Sequence, residues 1–152
     1  MILYVNGDSH AAAAEAVNPH TFAEDDSHYF YLGRAPHPDN LALSYGQLLA
    51  NQMNCRLLCD AESASSNHRI IRTTLKHLIG VQSMPVVSPD FIVIGWSTWE
   101  REEFLIDGIW CQFTGGIQGE PWSKDIMDKY KQWVINANPA NKAQMWHEKI
   151  YN

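Results

Sequence analysis

The sequence predicts one α/β domain built on an open parallel β-sheet. Three observations carry that expectation. Short β-favouring apolar runs, Ile2-Leu3-Tyr4-Val5, Cys55 to Cys59 and Phe91-Ile92-Val93-Ile94, alternate with stretches of helical periodicity. That order is what parallel strands joined by right-handed crossovers require. The chain is 152 residues long, about the size of one domain with one core.

The first run is closed by Asn6-Gly7-Asp8-Ser9 and followed by Ala11 to Ala16, so it reads as strand, tight turn, helix. Asn18-Pro19-His20 stops that helix. The region from 18 to 40 then carries four Pro or Gly and the adjacent pair Asp25-Asp26, the composition of a long loop, with a short strand at Tyr29 to Leu32. Asn40 is a cap for a helix whose Leu41, Tyr45, Leu48, Leu49 and Met53 form one buried stripe. Cys55 to Cys59 is a buried strand. Ser65-Ser66-Asn67 caps a second helix with Ile70, Ile71, Leu75, Leu78 and Ile79 on one face, and Gly80 ends it.

After the breakers Pro85 and Pro89, Phe91 to Ile94 has the continuous apolar character of a parallel strand covered on both faces, closed by Gly95. Runs from Glu103 to Ile106 and Ile109 to Phe113 flank Asp107-Gly108, which supplies the positive φ angles of a type I′ hairpin. Two helices follow, Pro121 to Asn136 with Ile126, Met127, Tyr130 and Val134 inward, and Ala140 to Asn152 with Ala143, Trp146 and Ile150 inward. Three central strands are fewer than the five to six usual in a doubly wound sheet.

Hydrophobic residues at 45% and charged residues at 18% exclude disordered and collagen-like classes. A net charge of −6 without a basic run argues against duplex nucleic acid or an anionic membrane as partner, and leaves small ester or glycan substrates open. No apolar stretch reaches the ~20 residues of a spanning helix, and no basic leader with a cleavage site opens the chain. Cys55, Cys59 and Cys111 lack metal-type spacing and read as buried free thiols.

Ligands of open α/β sheets bind beyond the carboxyl ends of the strands. Those ends deliver Gly7-Asp8-Ser9-His10, then Asp60 leading to Ser63-Ala64-Ser65-Ser66-Asn67, then Gly95-Trp96-Ser97-Thr98. Hydroxyls and turn backbone gather at one edge. A serine on a tight turn at a helix start has an exposed hydroxyl beside a positive dipole end, suited to a nucleophile, while capping is its plain structural role.

With these blocks the chain resembles the SGNH (GDSL-type) hydrolase family, and most closely its phage-encoded members, which share Asn-Gly-Asp-Ser-His before an alanine-rich helix. Glu62 to Ile70 and Ile94 to Arg101 extend the resemblance over most of the chain. It implies a three-layer α/β/α, flavodoxin-like sandwich with the first strand between the second and third, one domain over 1–152, a hairpin insertion after the third strand, and loss of the family's last strands. It implies Ser9 as nucleophile and oxyanion donor, Ala64 where the family has a glycine donor, and Ser97 or Thr98 where it has an asparagine donor. Gly7, Asp8, His10, Ser65, Ser66, Asn67 and Gly95 would line the site, with no cofactor and no metal. The setting would be host cytoplasm or a virion.

The family's base is the histidine of an Asp-x-x-His block near the C-terminus, and none occurs after residue 98. The pattern stands only at Asp25-Asp26-Ser27-His28, in the early loop. His10 follows Ser9 on the expected helix, about 100° away in projection, and so reads as pocket wall. His68 and His147 are weaker candidates for the base. The histidines and aspartates between His10 and His37 lack ligand spacing for a metal. Trp96, Trp99, Trp110 and Trp122 serve either core packing or sugar stacking, and Glu100 to Glu103 reads as a solvated charged face. Two functions follow: an esterase acting through an acyl-serine on carbohydrate or lipid esters, or a non-catalytic module that binds glycan or builds a phage particle. The bare edge of the third strand would favour a homodimer there, or cover by the hairpin.

Overall fold

The computed structural model describes residues 1–14, 16, 36–80, 88–115, 122–137, 140, 144, 147 and 148. It is a mixed α/β chain with a small parallel sheet and a separate antiparallel hairpin. Strand β1 (Ile2–Asn6) lies in the middle, flanked by β2 (Arg56–Cys59) and β3 (Phe91–Ile94), both parallel to it. Leu3 stands opposite Leu57 on one side and Phe91 on the other.

Alternation along β1 sends its side chains to two different layers. Leu3 and Val5 enter an apolar cluster with Ala11, Ala12, Ala50 and Ala61. Tyr4 and Asn6 enter the other layer, where the Asn6 amide donates to the Ile70 carbonyl at 3.0 Å and the Thr73 hydroxyl at 2.8 Å. Helices therefore cover both faces.

The helix expected from Asn40 is two helices, α1 (Pro38–Ala42) and α2 (Tyr45–Gln52). The break has a local cause. Ser44 accepts the Gln47 amide at 3.0 Å and starts α2, while the His37 ring caps α1, leaving Asn40 buried inside the first helix rather than at its cap. The buried line of α2 is Gly46 and Ala50, with Leu49 half-buried; Leu48 faces outward, while the partly exposed Tyr45 brings its hydroxyl beside Gly95. A Cβ on Gly46 would stand 3.0 Å from Val5, so the helix approaches the sheet through its small residues.

Residues 11–14 are successive turns, not the start of a helix. Ala12 donates to Asp8, Ala13 to His10 and Ala14 to Ser9, and Ala13 has φ 51. Alanine's advantage over ordinary residues is below ~1 kcal/mol per position. Here it yields to packing, since Ala11 is buried against Gly7 and Gly95 at the ends of β1 and β3, and Ala12 is buried in the apolar cluster with Leu3 and Val5.

Helix α3 (Asn67–Leu75) begins at Ser66, whose hydroxyl accepts the Arg69 amide, and runs into a π-helical turn, Lys76–Gly80, ended by Gly80 at φ 71. Of its expected apolar face only Ile70 is buried. Phe91 and Ile92 are exposed because β3 is an edge strand rather than a covered central one, and its outer side pairs with no strand among the described residues.

The hairpin strands are β4 (Glu102–Ile106) and β5 (Ile109–Phe113), joined by Asp107 at φ 52 and Gly108 at φ 79, as the dipeptide predicts. It docks on α3 rather than on the β3 edge. Arg72 makes two bonds to the buried Glu103 carboxylate, at 2.6 and 2.7 Å, and its guanidinium lies 4.3 Å from the Trp110 ring centroid. Behind the hairpin, α4 (Lys124–Asn136) buries Ile126 and Tyr130 with Ile106, Cys111 and Phe113. Trp133, not the exposed Val134, completes that face.

Ala140, Gln144, His147 and Glu148 are helical and exposed. The expected inward face of Ala143, Trp146 and Ile150 lies outside the described residues, as does the strand at Tyr29 to Leu32. Cys55 and Cys59 are half-buried thiols and Cys111 is buried; burial raises the Cys59 thiol pKa. Among the described residues no helix is long and apolar enough to cross a membrane.

Candidate active site

Beyond the carboxyl end of β1 lies an open pocket of about 520 Å³, lined by Ser9, His10, Ala13, Ala14, Ala16, Ser63 and Ala64. The turn that carries Ser9 depends on a close approach. The Gly95 amide donates to the Asn6 carbonyl at 2.8 Å, and a Cβ on Gly7 would stand 2.6 Å from the Ala11 Cβ and 2.9 Å from the Gly95 oxygen. Gly7 and Gly95 are thus packing residues that set where the Ser9 turn begins. The Ser9 and Ala64 amides donate to no described residue, nor does the Ser9 hydroxyl bond to one.

Ala64 has φ 63, a left-handed conformation that an L-residue adopts at a cost of roughly 1–2 kcal/mol. Ala13 shares that conformation and the same pocket. Such strain persists only where surrounding contacts hold it, and it concentrates at functional sites. The holding contacts at Ala64 are visible. Arg69 pairs with Glu62 and donates to the Asp60 carbonyl at 2.9 Å and the Ser65 hydroxyl at 3.2 Å, while Ser65 donates to the Glu62 carbonyl at 2.8 Å. Ser65 and Ser66 are fully buried in this brace. They shape the turn and do not face the pocket.

A second polar chain ties the other strand ends together. The Asn67 side chain accepts the Ser97 amide at 2.7 Å and donates to the Ser97 carbonyl at 3.1 Å. Arg101 donates to the Ser97 hydroxyl at 3.1 Å and reaches the Asp8 carboxylate at 3.4 Å. Asp8 in turn accepts the His10 amide at 3.0 Å and lies 3.4 Å from the ring Nδ1. Ser97 is therefore an anchored link outside the pocket lining, its amide already engaged, and Thr98 is exposed beside it. Sequence reasoning gave no role to Arg69 or Arg101; an acidic Glu62 seven positions before Arg69 is the signal that was present.

The remaining described imidazoles stand elsewhere. His77 pairs with Asp60 at 2.6 Å and packs beside Tyr4, whose hydroxyl also donates to Asp60. It lies ten positions beyond Asn67, about 15 Å along a helix. Burial, then the Asp60 charge, pushes the Tyr4 hydroxyl well above the usual tyrosine range against the opposing Thr74 bond. His37 caps α1, His68 sits in the first turn of α3, and His147 is exposed. Asp25, Asp26 and His28 lie outside the described residues. Among the described residues no group of His, Cys, Asp or Glu is arranged to hold a metal.

No curated protein and no solved structure matches the chain. A protein family does match, over residues 37–151, a span that holds the Ala64 turn, Ser97 and Arg101 and begins after Ser9. The chain belongs to that family, DUF6071, a family of unknown function.

Proposed function

We propose that the chain is an SGNH-type serine hydrolase, built on a flavodoxin-like α/β/α sandwich, that cleaves small acyl or acetyl esters of carbohydrate or lipid through an acyl-Ser9 intermediate. One observation carries the reading: a serine with an unengaged hydroxyl shares a pocket with two amides, Ser9 and Ala64, that donate to no described residue. Backbone donors of this kind stabilise the oxygen that gains charge when a serine attacks an acyl carbon. Left-handed Ala64 supports it further, because that is the conformation a glycine in the same role adopts freely. The strand order β2-β1-β3, with helices on both faces, is compatible with the sandwich.

The test is covalent labelling by a fluorophosphonate, read by intact mass. The expected result is one adduct, located on Ser9 by peptide mapping and absent from Ser9→Ala. A folded wild-type chain that takes no label removes the acyl-serine mechanism.

A second reading, a non-catalytic module that binds glycan or forms part of a phage particle, is favoured by the mutual engagement of Asn67 and Ser97. That pairing uses the amide groups that a third oxyanion donor would need. Fixed stoichiometry in purified particles, with wild type and Ser9→Ala assembling alike, would decide for it. The setting under either reading is host cytoplasm or a virion.

A further inference from the structure

We infer that His10, held by Asp8, is the base that takes the proton of Ser9. This rests on the hydrolase reading and names a base for it. Ser9 and His10 are consecutive and line the same pocket, in which His10 is the one ionisable side chain among the described residues. The helical geometry that would have turned the ring away is absent, because residues 9–14 are turns.

The ring has an orienting partner. Nδ1 faces the Asp8 carboxylate at 3.4 Å, which favours the tautomer with the proton on Nδ1 and leaves the lone pair on Nε2. Asp8 is itself fixed, since Arg101 holds its second oxygen and Asn67 fixes the Ser97 turn from which Arg101 is braced. Asp8 and Arg101 are the charged groups facing His10 from the β1 exit and from the segment after β3. The His10 side chain is 93% exposed and makes no bond to Ser9 in this state. The ring is not packed against other side chains, and base–nucleophile contacts that are long in a free enzyme tighten when substrate is present.

In the step, Nε2 accepts the Ser9 proton as Oγ bonds to the acyl carbon, and the carbonyl oxygen takes the negative charge beside the Ser9 and Ala64 amides. The bond to the alcohol oxygen then breaks and the alcohol leaves with the proton from His10. Water repeats the sequence on the acyl-serine, releasing the acid and restoring Ser9.

The experiment measures the second-order rate of fluorophosphonate labelling of the full chain between pH 5 and 9. It compares wild type, His10→Gln, His10→Ala with added imidazole, and Asp8→Asn, with circular dichroism to confirm folding. His10→Gln should label at least ~100-fold more slowly and lose the wild-type pH dependence, since a positioned base contributes about 10² to 10⁴. Added imidazole should restore part of the rate to His10→Ala, a rescue that a structural role cannot produce. Asp8→Asn, which keeps the shape and removes the charge, should slow labelling about tenfold. Labelling of His10→Gln at the wild-type rate and pH profile would overturn the inference alone. A folded wild type that does not label overturns both it and the hydrolase reading.

Discussion

Replacing Ala64 by glycine tests the strained turn directly, and the sign of the effect is set by the backbone. Ala64 sits at φ 63. A Cβ there costs roughly 1–2 kcal/mol, which glycine does not incur. Against this, glycine frees the unfolded chain by about 0.4–1 kcal/mol. The difference leaves Ala64→Gly more stable by about 0.5–1 kcal/mol. At 152 residues, 1 kcal/mol moves Tm by about 2–4 °C, so a rise of roughly 1–4 °C is expected in a thermal melt. Ala14→Gly is the paired control. Ala14 lines the same pocket without a positive φ, so it has only the unfolded-state penalty and should fall by about 0.4–1 kcal/mol. A loss of stability in Ala64→Gly equal to that control would show that the turn is not held in the left-handed region.

Three other substitutions probe the frame around the site. Glu103→Ala removes a carboxylate that is 2% exposed and paired with Arg72, and should cost about 2–3 kcal/mol in urea unfolding, less than a fully buried pair because Arg72 rehydrates; a change under ~0.5 kcal/mol would mean that the hairpin is not pinned there. Gly7→Ala places a methyl 2.6 Å from Ala11 and should cost about 3 kcal/mol, the upper range for overpacking; a wild-type Tm would refute the close approach of the strand ends. Tyr4→Phe should flatten alkaline unfolding. With the folded pKa of Tyr4 raised, its contribution is complete below the unfolded value of ~10 and is lost as pH rises toward the folded one, at about 1.4 kcal/mol per pH unit. Wild type and Tyr4→Phe with equal slopes above pH 10 would contradict that burial.

What was legible in the sequence is what local chemistry decides. Asp107-Gly108 specifies its hairpin because the turn needs two positive φ angles at adjacent positions, and Ser66 specifies the start of α3 because its hydroxyl can take an amide three residues on. The order of the strands and the polar character of their ends are local in the same sense. The alanine run failed for the opposite reason. Its helix preference is small per residue, whereas the space between Gly7 and Gly95 admits only a methyl placed by a particular sequence of turns, and that space is formed by residues nearly ninety positions apart. Burial of the stripes in α2 and α3 was overestimated because periodicity marks an apolar face without saying how wide a sheet lies under it. A three-stranded sheet covers Gly46, Ala50 and Ile70 and leaves Leu48, Ile71 and Leu75 outside.

The least legible feature joins the second apolar cluster to the site. Gln112 of β5 accepts the Ser66 amide at 3.0 Å, and Glu103 of β4 holds Arg72 one helical turn beyond Arg69, the residue that braces the Ala64 turn. Neither contact has a sequence signature, since each spans more than thirty residues and uses ordinary surface residue types. Their consequence is physical. Among the described residues the parallel sheet gives β2 and β3 each a single partner strand, which leaves the start of α3 held from one side. The hairpin supplies the other side, and its own rigidity comes from Phe113, whose ring meets Phe104, Trp122, Tyr130 and Trp133 at centroid distances of 4.9 to 5.8 Å. Ala64 can remain in a costly conformation because the segment just after it is anchored to both clusters. Loosening the aromatic cluster by Phe113→Leu should therefore destabilise the protein and also relax the Ala64 turn. The signature is a shrinking gain from Ala64→Gly in the Phe113→Leu background, whereas full additivity of the two changes would show that the hairpin only adds bulk.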